Sequence, residues 1–241
     1  VTSGAGVTLP LMAAWLAARS LSRGLPAPVP DRGGVRVDTG HPDERRRYVF
    51  VDPCDGLREL GHTIDEPFVP LKLCRPAGEL LAILPPRWAI SSNSWVMGRD
   101  GFSRPERAPA DGGVQGFEGK VCGSGRLRSQ EYAADLPPGY TVAIDGEGPV
   151  WFARIVSDDG SPAASGYAAE TDGVFIYDRI RTEPRHERRG LGRALMAALS
   201  RRRRDPASRE ILTATAAGRG LYLQLGWHDL VPYSTAMIPT G

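Results

Sequence analysis

At 241 residues, with 41% apolar and 24% charged side chains, the chain has the make-up of a globular protein long enough for one large domain or two ordinary ones. A net charge of +2 is too small to argue for nucleic acid. Three widely spaced cysteines, Cys54, Cys74 and Cys122, make neither a disulfide framework nor a zinc spacing, so reduced thiols, a cytoplasmic setting and no metal are expected.

In chain order, the first apolar run, TLPLMAAWLAARSLSRGLPAP, is interrupted at Arg19 and lacks a basic segment before it and a small-residue cleavage site after it. It is too short to span a bilayer, and no membrane association is expected. Leu11, Trp15, Ala18 and Leu21 share one helical face, which predicts an amphipathic helix closing on PAPVP. Residues 35–97 alternate between strand-like pieces (RRYVFVD, PFVPLKLC, AISSNSWVM) and short helices at Asp55 to Leu60 and Ala77 to Leu84, the second ended by Pro85-Pro86. His41 and His62 lie in different segments without ligand spacing. From Gly98 to Gly125 glycine, proline and charge dominate, marking a connector or a lid. YTVAIDG, VWFARIVSD and AASGYAAET then read as three strands of a meander. The expected organisation is a smaller α/β domain over 1–97, a connector over 98–136 and a second domain over 137–241.

The stretch from Val174 to Leu199 reads as strand, glycine turn and helix. Val174, Ile176 and Ile180 suit a strand that Pro184 stops; Gly190 and Gly192 open a helix carrying Leu191, Ala194, Leu195, Ala198 and Leu199 at helical spacing. Such a turn gathers unpaired backbone N–H groups at a helix start, and Arg185, Arg188, Arg189 and Arg193 add positive charge, which makes a phosphate or pyrophosphate site. A Walker loop is excluded because Arg193-Ala194, not Lys-Ser/Thr, follows Gly192; a Rossmann fingerprint is excluded because Leu195 stands where its third glycine belongs. Arg201 to Arg204 close the helix before Asp205-Pro206, where a solvated cationic helix end is the expectation over a nucleic-acid site. The tail gives a strand at Glu210 to Thr215, a short helix ending in Leu225-Gly226-Trp227 with Gly226 suited to a left-handed cap, and terminal strands HDLVP and STAMIP.

The window Glu187-Arg188-Arg189-Gly190-Leu191-Gly192 resembles the acyl-CoA loop Q/R-x-x-G-x-G/A of the GNAT N-acetyltransferase superfamily, with Glu187 a departure at the first position. The Leu-Tyr…Leu-Gly-Trp tail resembles the family's second signature, with Thr215 and Gly218 where the family often has Asn and Ala. The resemblance covers Tyr140 to the end. It implies a GNAT-like twisted mixed sheet flanked by helices, in an α/β chain whose residues 1–97 are compatible with a degenerate copy of the same unit. It implies acetyl-CoA as cosubstrate and an unidentified amine as acceptor; oligomeric state is left open. By this likeness the backbone of Ile180, Arg181 and Thr182 would pair with the pantetheine arm in a splayed strand gap. Arg188, Arg189, Gly190, Leu191, Gly192, Arg193 and Ala194 would hold the diphosphate, and Tyr222 would protonate the departing thiolate. Asp178, two residues before Ile180 and on its face by the two-residue period, is the first candidate base. Glu170 is the second. The alternatives are a structural hydrogen-bond acceptor at Asp178, a core aromatic at Tyr222, and a module that binds an acyl-CoA or another phosphate ligand without turnover.

Overall fold

The computed structural model describes residues 6–99 and 136–240. The expected connector, apart from its ends, and Cys122 lie outside the described residues. The fold is mixed α/β, with eleven strands in one sheet. Helix α1 (Leu9–Arg23) starts where the Thr8 hydroxyl accepts the Leu11 N–H and stops at left-handed Gly24. There follow β1 (Val29–Asp31), β2 (Gly34–His41), β3 (Glu44–Phe50), α2 (Asp55–Thr63), β4 (Leu71–Leu73), α3 (Ala77–Leu81) and β5 (Ala89–Arg99). The second half runs β6 (Tyr140–Asp145), β7 (Val150–Ser157), β8 (Pro162–Thr171), β9 (Val174–Thr182), α4 (Leu191–Ser200), β10 (Arg209–Thr215), α5 (Ala216–Gln224) and β11 (His228–Met237). The two terminal runs expected as separate strands are one bulged strand, with Pro232 placed where only the β5 side is paired.

The strand order β1-β2-β3-β4-β11-β5-β10-β9-β8-β7-β6 carries an internal symmetry. The run β1-β2-β3-α2-β4-α3-β5 has the same element sequence as β7-β8-β9-α4-β10-α5-β11. In each run the third and fourth strands are parallel, and the last strand is exchanged: β5 lies beside β10, and β11 beside β4. Backbone hydrogen bonding is therefore continuous between the halves.

Helices α4 and α5 pack on the second-half strands through Phe175, Leu195, Leu199 and Leu212; α2 and α3 pack on the first half through Phe50, Leu57, Leu71 and Leu80. The third cluster centres on α1. Met12, Trp15 and Leu16 meet Val35 and Val37 of β2 as well as Ala169 of β8 and Ile176 of β9. In a flat sheet β2 and β8 would be about 34 Å apart, more than the ~22 Å length of a fifteen-residue helix, so the sheet coils around α1. Enclosure on several sides is why the buried face of α1 takes in Ser20 and Ser22, while Leu21, expected inside, is 44% exposed.

Candidate active site

β9 and β10 are hydrogen-bonded at three positions only, Val174/Arg209, Phe175/Glu210 and Ile176/Ile211. Beyond them β10 stays with β5 as far as Thr215/Ser94, and β9 stays with β8 as far as Thr182/Ala164. The facing edges of residues 177–182 and 212–215 diverge into a notch, with Ile180, Arg181 and Thr182 on one rim. The first-half counterpart is closed, because β3 and β4 pair up to Phe50/Leu73 and the Cys74 N–H then donates to the Phe50 carbonyl. There too, a Cβ at Gly56 of α2 would stand 1.9 Å from the Arg32 carbonyl oxygen, so backbone is packed over that helix start.

At the end of β9 the chain makes a 3-10 turn at Pro184–His186 and enters α4 through two left-handed residues, Arg188 (φ 62°) and Gly190 (φ 80°). Left-handed residues at alternate positions turn successive N–H groups towards one point. No side chain caps α4, and its first backbone bond runs from the Ala194 N–H to the Gly190 carbonyl, which leaves the N–H groups of Leu191, Gly192 and Arg193 pointing out of the helix. Gly192 is where three elements converge: a Cβ there would lie 3.3 Å from Leu221 Cδ2 of α5 and 3.8 Å from Thr182 Oγ1 of β9. Arg185, Arg188 and Arg193 are exposed around the turn. Arg189 is held to one side, Nη1 donating to the Tyr140 hydroxyl (2.9 Å), which also bonds His186 Nδ1 (3.0 Å).

Tyr222 follows Leu221 on α5. The helix ends in a Schellman arrangement, with the Trp227 N–H on the Tyr222 carbonyl (3.0 Å), the Gly226 N–H on Leu223 (3.1 Å), and Gly226 left-handed (φ 79°) as expected. The turn brings the Trp227 ring edge-on to Tyr222 at 6.2 Å. Burial pushes the Tyr222 phenol upward, and among the described residues nothing hydrogen-bonds its hydroxyl.

Asp178 is not on the face of Ile180. Tyr167 pairs with Asp178 and Ser165 with Arg181, so Arg179 and Ile180 together oppose Gly166 in a β-bulge, with Arg179 at φ 55°. The extra residue inverts the alternation. Ile180 packs on the α4 side, filling the space a Cβ on Gly166 would need (2.4 Å), while Asp178 faces α1. There Arg23 grips both its carboxylate oxygens (2.7 Å each), Ser22 donates to it (3.0 Å), and Arg19 and Arg179 stand at 3.7 and 3.4 Å. Burial pushes this carboxyl up, but the Arg23 hydrogen bonds and the Arg19 and Arg23 charges outweigh it and hold the group below its ordinary value. Glu170 is about 16 Å along the hairpin from Ile180, accepting from the Arg204 and Asp205 N–H groups and the Ser208 hydroxyl.

Arg201 to Arg204 are a solvated helix end only in part: Arg201 and Arg204 are exposed, while Arg202 and Arg203 are half-buried. Arg203 lies 3.5 Å from the fully buried carboxylate of Glu210, which also ion-pairs with Arg99 and accepts from the Tyr177 hydroxyl, and Arg204 stacks over Trp151. Among the described residues no group of three or more His, Cys, Asp or Glu could hold a metal, and no helix is long and apolar enough to cross a membrane.

The acetyltransferase (GNAT) domain family matches residues 138–229. The C-terminal half of the chain is a GNAT acetyltransferase domain. Among solved structures the chain is similar to a GCN5-related N-acetyltransferase from Kribbella flavida (16% identity, TM-score 0.58, covering 95% of this chain and 96% of that one). It is similar to a GCN5-related N-acetyltransferase-like protein from Streptococcus suis (12%, TM-score 0.55, 95% and 93%). A tandem GNAT protein from the clavulanic acid biosynthesis pathway also matches (13%, TM-score 0.51, 86% and 80%). At these identities the likeness speaks for the fold, and it extends over both halves. No curated protein matches the chain.

Proposed function

We propose that the protein is an acetyl-CoA-dependent N-acetyltransferase acting on an amine, with residues 1–97 a second GNAT-like unit that has lost its own cofactor site. The observation that carries the reading is the notch between β9 and β10, opening beside the uncapped start of α4. The diphosphate binds the amides of residues 190–194, aided by Arg188 and Arg193. Arg189 contributes through the backbone of the turn, since its side chain is on Tyr140. The pantetheine arm adds to β9 at Ile180, Arg181 and Thr182 as a strand would, and an N–H near Ile180 donates to the thioester oxygen. The neutral amine attacks the carbonyl carbon, the C–N bond forms, the C–S bond breaks, and Tyr222 protonates the leaving thiolate. Its upward-shifted phenol stays protonated at neutral pH, as an acid for this step must. Asp178, clamped by Arg23, anchors α1 to β9, and the amine loses its proton to water.

Two variants test the site. Tyr222→Phe should slow CoA release from acetyl-CoA across an amine panel by about 10²-fold while leaving the calorimetric CoA affinity near wild type; normal turnover would remove Tyr222 as the acid. Gly192→Val, which drives a branched side chain between Leu221 and Thr182, should weaken CoA binding by about 10–100-fold. Unchanged affinity would mean the diphosphate lies elsewhere. One observation favours a second reading, a binder without turnover: both carboxylates expected near the thioester are committed elsewhere. A protein that binds CoA tightly yet releases none with any amine would be that module.

A further inference from the structure

β5 is an inner strand, yet part of it has a neighbour on one side only. Its pairing with β10 ends at Ser94/Thr215, whereas its pairing with β11 goes on through Asn93/Ser234 and Ser92/Thr235 to Ala89/Met237. From Ala89 to Asn93 the edge that β10 would have covered is unpaired among the described residues, and alternate residues there turn an N–H and a C=O towards it. Ala89, Ser91, Ser92 and Asn93 are exposed, as are Thr215 and Ala216 at the start of α5. The other half of the molecule blunts the same place. There Ser234 of β11 pairs with Leu73, the last residue of β4, as Ser94 pairs with Thr215. Counting back from each serine, Asn93, Ser92 and Ser91 correspond to Tyr233, Pro232 and Val231. Tyr233 is buried, and Pro232 has no N–H for an added strand. A usable edge is thus found beside the open notch and a blocked one beside the closed β3–β4 pair. This edge also reaches the reacting centre. Ile176 pairs with Ile211, so Thr215, and Ser94 with it, lies level with Ile180 or, counting the bulge, Arg181. Strands two places apart already stand about 9.6 Å apart, and β9 leans away from β10 here. A pantetheine arm on β9 and a chain on β5 would each take one rim of the notch.

We propose that the amine acceptor is a short peptide with a free N-terminus, added as a strand to β5 at Ala89–Asn93 so that its α-amine lies beside Thr215 and faces the thioester at Ile180. The peptide's role as acceptor rests on the acetyl-transfer reading. β5 runs from Ala89 towards Ser94, so a chain with its N-terminus at the Ser94 end runs antiparallel to it, as β10 does. Main-chain hydrogen bonds hold it, and Ser91, Ser92, Asn93 and Ser94 put no charge beneath it to select a second ammonium group. An α-amine also suits a site whose two expected carboxylates are committed elsewhere. Its pKa of about 8 leaves far more of it neutral at pH 7 than the ~10.4 of an alkylammonium, so water suffices as the base. The α-amine nitrogen attacks the thioester carbon, the C–N bond forms and the C–S bond breaks. The amine proton goes to water and the Tyr222 proton to the thiolate, giving an Nα-acetyl peptide and CoA.

The test is CoA release by the full chain with tetra-alanine amide and with glycinamide, which share the kind of amine and differ in the chain behind it. The tetrapeptide should be preferred at least ~10-fold in kcat/KM, with the acetyl group found on its α-nitrogen by mass spectrometry. Tetrapeptides N-methylated at the second or at the third residue should differ from each other by at least ~10-fold, because only alternate amides of an added strand face β5. Asn93→Glu, an exposed substitution whose folding circular dichroism verifies, ties the peptide to this strand. It should raise the preference for a tetrapeptide with Arg at its second and third residues over one with Glu there by at least ~5-fold. Equal kcat/KM for tetrapeptide and glycinamide, equal effects of the two N-methylations, or an unmoved preference in Asn93→Glu would each overturn the peptide site and leave acetyl transfer standing. CoA release from no amine at all would overturn both.

Discussion

Asp178→Ala is expected to lose about 3–5 kcal/mol of unfolding free energy, because it strands Arg23 and Arg19 beneath α1 without a counter-charge. That is a large share of the ~5–15 kcal/mol that holds a domain of ordinary stability. Urea melts at neutral pH measure it. The acid limb should change as well. The folded-state carboxyl lies below its unfolded value, so its stabilisation is complete above the unfolded pKa near 4 and is lost as pH falls through the folded one. The alanine variant should therefore show a flatter decline in acid. A variant that melts like wild type but has lost turnover would instead make Asp178 a catalytic base and return the α1 contacts to minor status.

Lys72→Met should act in the opposite direction. The Lys72 ammonium is pushed down from 10.5 to about 8 by burial, with Glu44 opposing and Arg47 and Arg19 adding to the shift. Between these values the unfolded chain holds the proton and the folded chain does not, so wild-type stability rises with pH from about 8, by at most ~3 kcal/mol. Above about 9 the rise is offset. Cys74, whose buried thiol is pushed up to about 12, lets the unfolded chain ionise first, and this lowers stability. The rise is therefore clearest between about pH 8 and 9. Methionine keeps the side-chain volume and removes the charge, so the variant should gain about 1–3 kcal/mol at pH 7 and lose that rise. An unaltered pH profile would show that Lys72 is solvated and not enclosed under α1.

How much of the site was legible depends on how local each part is. The glycine turn into α4 and the Leu225-Gly226-Trp227 cap are written in adjacent residues, and the left-handed conformations of Gly190 and Gly226 follow from there being no Cβ to oppose them. The position of Asp178 was misread because a period of two holds only while a strand is regular. The bulge is at Arg179, a residue with no tendency to announce it, and the one written hint is Gly166 across the ladder. β2 was missed because its alternating Val35 and Val37 sit among charges and glycines. The cluster of Arg19, Arg47, Lys72 and Asp178 had no sequence signature at all, since these residues are separated by tens of residues and meet only when the sheet closes on α1.

By itself, then, the chain's sequence determined the strand–turn–helix unit, the capped helix bearing Tyr222, and the mixed α/β alternation on either side of a glycine-rich middle. Those are set by dihedral preference and by which face of a short segment is apolar, and both act within a few residues. Tertiary structure alone decided the exchange of β5 and β11, the bulge that turns Asp178 towards α1, and the gathering of Arg19, Arg23, Arg47 and Lys72 where the sheet closes on that helix. Strand partners are chosen by hydrogen bonds and packing between distant segments, and a charge's cost or benefit depends on what closes over it.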